Sequence, residues 1–163
     1  MEIKFNEEKH IYTVGGKVIP SVTTILKSVI NKPGLLYWTV NMITKYIEEN
    51  IMSWNGDIED LMKNAKKVPN EVRDEASNRG KVAHTWFEHG VKKTRTKKDY
   101  NKKYKGYIDA VDNFMKVCSN NGIVFLDSEM MLYNKLRGLG AYCGTLDGLA
   151  EDKDGFIIID LKT

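Results

Sequence analysis

Long apolar runs, cysteine and low-complexity tracts are what this chain has least of. No apolar run approaches the ~20 residues that a membrane-spanning helix needs, so no bilayer span is expected. The two cysteines, Cys118 and Cys143, are too few and too far apart for a disulfide scaffold, a zinc site or an iron–sulfur cluster. Met1-Glu2-Ile3-Lys4 does not read as a secretory leader, so a reducing, cytoplasmic setting is expected. No internal repeat and no low-complexity linker divides the sequence. A chain of 163 residues, 42% hydrophobic and 29% charged, fits one globular domain rather than a disordered or fibrous protein.

The net charge of +3 hides an uneven distribution. Lys92, Lys93, Arg95, Lys97, Lys98, Lys102, Lys103 and Lys105 share fourteen positions with a single acid, Asp99, leaving 17 basic against 21 acidic residues elsewhere. Such a block suits a polyanion, because cations that neutralise phosphates release condensed counterions. The alternative is a solvated loop.

The pattern predicts helices first, then strands. Ile11–Val14, Gly15-Gly16 and Val18-Ile19 read as a β-hairpin that includes His10, and Ser21 reads as the N-cap of a short helix. Helices are expected over Leu35–Ile51, with Leu36, Val40, Ile43 and Ile47 as the apolar stripe, near Ile58–Lys67, and from Pro69 to about Gly90. Another should carry the stripe Tyr104, Ile108, Val111, Phe114 and Cys118 and end at Asn120-Asn121-Gly122. Ile123–Tyr133, Tyr142–Ala150 and Phe156–Thr163 then read as a three-stranded antiparallel meander. The expected class is α+β. Trp38, Trp54 and Trp86 read as packing residues.

The last two strands bring charge together. A four-residue connection, Asp152 to Gly155, sets Asp147 opposite Asp160, and a two-residue Asp154-Gly155 turn sets Asp147 opposite Lys162. Either way Asp147, Asp160 and Lys162 share a face, with Asp160 and Lys162 ~7 Å apart and Asp147 ~5 Å across. Two hard carboxylates can bind Mg²⁺ or Mn²⁺, a bound metal activates water, and a lysine can stabilise developing negative charge, as phosphodiester hydrolysis requires. The alternative is a surface ion-pair ladder. Against it, apolar Phe156–Ile159 predicts a central, buried strand, where an unpaired charge is costly. Glu129, in the first strand of the meander, is either a third carboxylate or a solvated residue, because the irregular Asn134–Ala141 connection prevents a parity count. Gly80, His84 and Glu88 are spaced by four along a helix, so His84 could be a metal ligand or phosphate contact oriented by Glu88, or simply a packed residue. His84 and His89 are five apart and do not make a zinc-protease pair.

These residues together resemble the PD-(D/E)XK nuclease superfamily, specifically its RecB-like, phage-encoded exonuclease branch. The matching pieces are His10-Ile11-Tyr12, Pro20-Ser21-Val22-Thr23-Thr24-Ile25-Leu26, the helix with Arg79-Gly80, His84 and Glu88, Glu129, Gly144-Thr145 with Asp147, and Ile159-Asp160-Leu161-Lys162-Thr163. The resemblance implies a restriction-endonuclease-like core in a single domain over residues 1–163, with a hairpin and helical part at 1–68 and the nuclease core at 69–163. It implies a Mg²⁺- or Mn²⁺-dependent deoxyribonuclease of phage or mobile-element DNA processing in a bacterial cytoplasm, without an iron–sulfur cluster. Asp147, Asp160, Lys162 and Glu129 would be catalytic, and His84, Asp147 and Asp160 would hold the metal. Arg79 and the basic block (Lys92, Lys93, Arg95, Lys97, Lys98, Lys102, Lys103) would contact DNA. A second copy of the chain or a recombination protein is a further partner option. Relatives continue beyond the Asp-x-Lys strand into another helix and strand, so the family's C-terminal elements are expected to be missing here. That motivates a second reading, a non-catalytic nucleic-acid- or partner-binding module that keeps the nuclease core.

Overall fold

Two glycines at positive φ, Gly15 at 56° and Gly16 at 77°, fold β2 (Ile11–Val14) back onto β3 (Lys17–Ile19), as the sequence predicts. The computed structural model describes residues 2–9, 11–30, 32–138 and 140–162. His10 and Thr163, both singled out in the sequence, lie outside the described residues. The hairpin gains a strand that the pattern did not disclose. β1 (Ile3–Asn6) pairs antiparallel with β2, Phe5 opposite Tyr12. Ser21 caps α1 (Val22–Val29), its Oγ accepting from the Thr24 amide at 2.9 Å.

The helices follow as α2 (Pro33–Asn50), α3 (Ile58–Ala65), α4 (Val68–Val91) and α5 (Lys105–Asn120). Pro33 opens α2, where its missing N–H costs nothing, and Gly122 at φ 74° follows the end of α5. A second antiparallel sheet, in the order β4-β5-β6, comprises β4 (Val124–Leu136), β5 (Gly140–Asp152) and β6 (Gly155–Ile159). The chain is therefore mixed α and β with two small antiparallel sheets.

Its residues form two compact units, residues 31–79 and residues 1–30 with 80–163. In the first, Leu61 and Ala65 of α3 are buried, whereas α2 buries none of its side chains fully. The helical spacing of Leu36, Val40, Ile43 and Ile47 is thus real, but Leu36 and Val40 are exposed.

The second unit holds the functional candidates other than Arg79. Ala83 and Phe87 of α4 pack with Val111 and the half-buried Phe114 of α5. The Phe87 ring meets Phe125 of β4 edge-on at 5.4 Å and lies over Gly148 of β5, where a Cβ would stand 2.9 Å from the ring. Gly148 thus permits α4 to approach the sheet closely. On the hairpin side, Tyr12 and Val14 pack with the fully buried Cys143 of β5. The Cys143 amide donates to the Pro20 carbonyl at 3.0 Å, and the Tyr12 and Thr145 hydroxyls are 2.7 Å apart. No helix among the described residues is long and apolar enough to cross a membrane.

The expectation of a central, buried final strand is corrected. Pairing puts β5 in the middle and β6 at the edge, with Phe156 76% and Ile158 71% exposed. An unbroken apolar run fits a strand buried on both faces, but only Ile157 and Ile159 are even half-buried here. The β4–β5 connection is also tighter than expected, since pairing runs to Leu136 and Gly140.

Candidate metal centre

Three elements deliver one side chain each to a common point. α4 brings His84, β4 brings Glu129 and β5 brings Asp147, and one ligand atom from each lies within 4.8 Å of the other two. His84 Nδ1 is 3.5 Å from Glu129 Oε1 and 3.7 Å from Asp147 Oδ1. All three are half-buried.

The local backbone explains why Glu129 faces the histidine. β4 carries a bulge between Phe125 and Asp127, beyond which Ser128 pairs with Gly148 and Met130 with Leu146. That register sets Glu129 across from Asp147, but the ladder pairing lapses at these two residues, and Glu129 takes φ 52°. A left-handed glutamate within a strand is uncommon and costs of order 1 kcal/mol or more. Backbone strain and bulges of this kind concentrate at functional sites.

Asp147 is fixed by the strand end beside it. β6 aligns Gly148 with Ile159, which is the register of the four-residue connection. Past Ile159 the chain leaves the ladder, and the Leu161 amide donates to Asp147 Oδ2 at 2.7 Å. The His84 imidazole has its pKa raised, chiefly by the hydrogen bond with Glu129. Burial opposes that rise, while the charges of Asp147 and Glu129 and the Leu161 carbonyl assist it. The two carboxylates therefore hold a proton on this ring more readily than water does.

Asp160 and Lys162 are placed differently. The two residues bond to each other, Lys162 Nζ to Asp160 at 2.6 Å, with side chains 60% and 82% exposed. The Asp160 carboxylate is the main cause of a raised Lys162 pKa, and Asp147 adds a smaller through-space contribution. The compact cluster thus contains Glu129, which the sequence left open, while Asp160 stands outside it. Face-sharing by alternate residues fails for Asp160 because the strand has already ended. Glu88 does not orient His84 as expected. Its carboxylate bonds Lys92 at 2.7 Å, and Glu129 takes the orienting position. The Leu161 backbone, with its amide on Asp147 and its carbonyl on His84, was invisible to a reading of side-chain types.

The basic block is also partly committed. Arg95 donates to the Trp86 carbonyl at 3.0 Å and to Asp112 Oδ1 at 2.7 Å, with its guanidinium 4.4 Å from the Trp86 ring centroid. It is a tie between α4, the following loop and α5. Lys92 pairs with Glu88 and Lys105 with Asp109, and Lys103 lies over the Tyr104 ring at 5.0 Å. Lys93, Lys97, Lys98 and Lys102 are exposed. Asp99 anchors the loop by accepting from the Thr96 amide at 2.6 Å. Its Oδ2 also comes within 3.1 Å of His89 Nδ1, though off the line of a good hydrogen bond. Arg79 is half-buried in α4 and belongs to the other compact unit. Cys118 and Cys143 are free and buried in α5 and β5.

The cluster has the donor chemistry of a divalent-cation site. Two ligands at right angles on an octahedral ion with bonds of about 2.1 Å stand about 3 Å apart, and opposite ligands about 4.2 Å. The 3.5 and 3.7 Å separations fall between these values. A histidine nitrogen with two carboxylates suits Mn²⁺ and accepts Mg²⁺ less readily. Comparison with protein-family models, curated proteins and solved structures finds no match to this chain.

Proposed function

We propose that this chain is a Mg²⁺- or Mn²⁺-dependent nuclease acting on DNA, with a restriction-endonuclease-like core. The observation that carries the reading is the convergence of His84, Glu129 and Asp147 from three separate elements within 4.8 Å. The order of motifs that resembles the PD-(D/E)XK superfamily supports it. Exonuclease-like action in phage or mobile-element DNA processing is the form that the resemblance favours.

His84, Glu129 and Asp147 would hold the cation, which would supply Lewis acidity and a water of lowered pKa. The protein's own contributions follow from its geometry. Glu129 orients the imidazole, and the Leu161 amide holds Asp147. Neutral His84 is the ligating form, so loading releases the proton that the two carboxylates favour. Lys162, on the short segment next to Asp147, is available to neutralise charge on a phosphate once its bond to Asp160 opens.

Cleavage of end-labelled linear DNA tests the reading. Activity should vanish in EDTA, return with Mn²⁺, and fall at least about a hundredfold in Asp147→Asn. The pairing of Asp160 with Lys162, which occupies both charges, favours the second reading, a DNA-binding module without cleavage. That reading gains if purified protein binds DNA but no metal restores hydrolysis.

A further inference from the structure

β6 is an edge strand without the devices that normally protect one. Among the described residues its backbone pairs with β5 alone. Its sequence, Gly155-Phe156-Ile157-Ile158-Ile159, carries no charge and no proline, and its pairing has no bulge. The two faces of the strand differ. Ile159 packs against the cluster of Ala83, Phe87 and Val111, so by alternation Ile157 shares that inner face while Phe156 and Ile158 stand on the outer one. Those two side chains are 76% and 71% exposed, and the half-buried Leu149 lies opposite Ile158 on the same face. At the other side of the sheet, β4 is approached by β1 of the hairpin. β6 is the open edge.

Such a strand is complementary to itself. Antiparallel pairing of two β6 edges about a two-fold axis at Ile157 sets Phe156 against the partner's Ile158 and Gly155 against the partner's Ile159, with every side chain kept on its own face. A slip of one residue would set Phe156 against the partner's Ile157, outer against inner, so parity excludes it. An aromatic ring opposite a β-branched side chain is a favourable cross-strand pair. The two edges meet without charge repulsion, and main-chain bonds supply affinity as they do when a peptide adds a strand to a sheet. We propose that the chain forms a two-fold dimer through β6, which joins two three-stranded sheets into one of six strands. The contact is isologous and closes at two copies, where a heterologous one would continue into a fibre. Across the axis, each Asp152–Gly155 turn comes beside the Asp160–Lys162 segment that adjoins the carboxylate cluster. A five-residue edge covers less than the roughly 1,200 Å² at which standard interfaces begin. The dimer is therefore reversible, with a Kd on the order of 10 µM.

Sedimentation velocity of the whole chain in EDTA, from about 1 µM to about 1 mM, brackets that affinity. The wild-type mass should rise from 18.7 kDa to twice that value and stop. Phe156→Lys/Ile158→Lys gathers like charges across the axis and should weaken dimerisation at least about a hundredfold. Phe156→Lys/Ile158→Glu sets opposite charges against each other and should dimerise at least about tenfold more tightly than the Lys/Lys variant. Circular dichroism checks that both variants fold. Hydrogen exchange of the wild type should slow at the β6 amides as concentration rises, because edge N–H groups become paired. If the variants unfold, that exchange comparison decides the matter alone. A wild type still monomeric at the highest concentration, or species that grow past two copies, overturns the proposal. So does a folded Lys/Lys variant that dimerises like the wild type, or a dimer whose β6 amides exchange as fast as the monomer's. A folded Lys/Glu variant no tighter than Lys/Lys overturns the pairing centred on Ile157.

Discussion

Glu129 Oε1 stands 3.5 Å from His84 Nδ1, and the residue that places it there sits in a strand with φ 52°. Strained backbone and functional contact thus belong to one residue, and they can be separated by mutation. Glu129→Gly should relieve the left-handed strain and raise stability by about 1 kcal/mol, while removing a proposed ligand. Thermal unfolding with and without Mn²⁺ checks this. The variant should have the higher Tm in EDTA and should lose the stabilisation that Mn²⁺ gives the wild type.

The imidazole gives a pH dependence of definite sign. A histidine whose folded pKa is raised contributes stability that is fully present below its unfolded value, about 6.5, and lost as pH rises through the folded pKa. In EDTA, the stability difference between wild type and His84→Gln should therefore shrink from acid to alkaline pH. With Mn²⁺ the trend should reverse, because metal and proton compete for the same ring. Urea titrations across neutral pH, with and without metal, measure both slopes.

Gly148 is a packing requirement for the site. A Cβ there would meet the Phe87 ring at 2.9 and 3.0 Å and Ile159 Cβ at 3.2 Å, and Phe87 is held by Phe114 and Phe125. Gly148→Ala should cost about 1–3 kcal/mol. Adding Phe87→Leu, which vacates ring volume, should recover part of that loss relative to the sum of the single changes. A double-mutant cycle in denaturant measures the coupling.

Arg95 and the exposed lysines should part company. Arg95→Ala removes the guanidinium from Asp112, which keeps only the Trp86 indole N–H at 2.9 Å, and from the Trp86 carbonyl, and should destabilise by about 1–3 kcal/mol. Lys97→Ala with Lys98→Ala should leave stability within about 0.5 kcal/mol. If the block meets phosphates, that double change should also weaken DNA binding and lower its salt slope by about 1–2. Unfolding curves and binding at several salt concentrations separate the two effects.

Several parts of this arrangement were legible in the sequence, and physical reasons separate them from the rest. Capping chemistry at Ser21, the Gly15-Gly16 turn and the stripe through Ile108 and Val111 are local, so they survive folding unchanged. Alternation left two registers open between β5 and β6, and the structure takes the one that pairs Gly148 with Ile159. Glu129 was undecidable because the irregular Asn134–Ala141 stretch hid the register that pairs Leu136 with Gly140. Asp160 left the expected cluster because β6 stops at Ile159, and a two-residue period holds only inside a strand. The exposure of Phe156 and Ile158 depends on which strand takes the sheet edge, a non-local outcome that no apolar run encodes.

The most direct measurement is Mn²⁺ binding followed by electron paramagnetic resonance, in which bound ion loses the sharp six-line signal of free Mn²⁺. The account predicts binding by the wild-type chain, weakened at least about tenfold by Glu129→Gln and by Asp147→Asn. Wild-type protein that leaves the free-ion spectrum unchanged, or a His84→Ala/Glu129→Gln/Asp147→Asn triple variant that binds as tightly as the wild type, would contradict it.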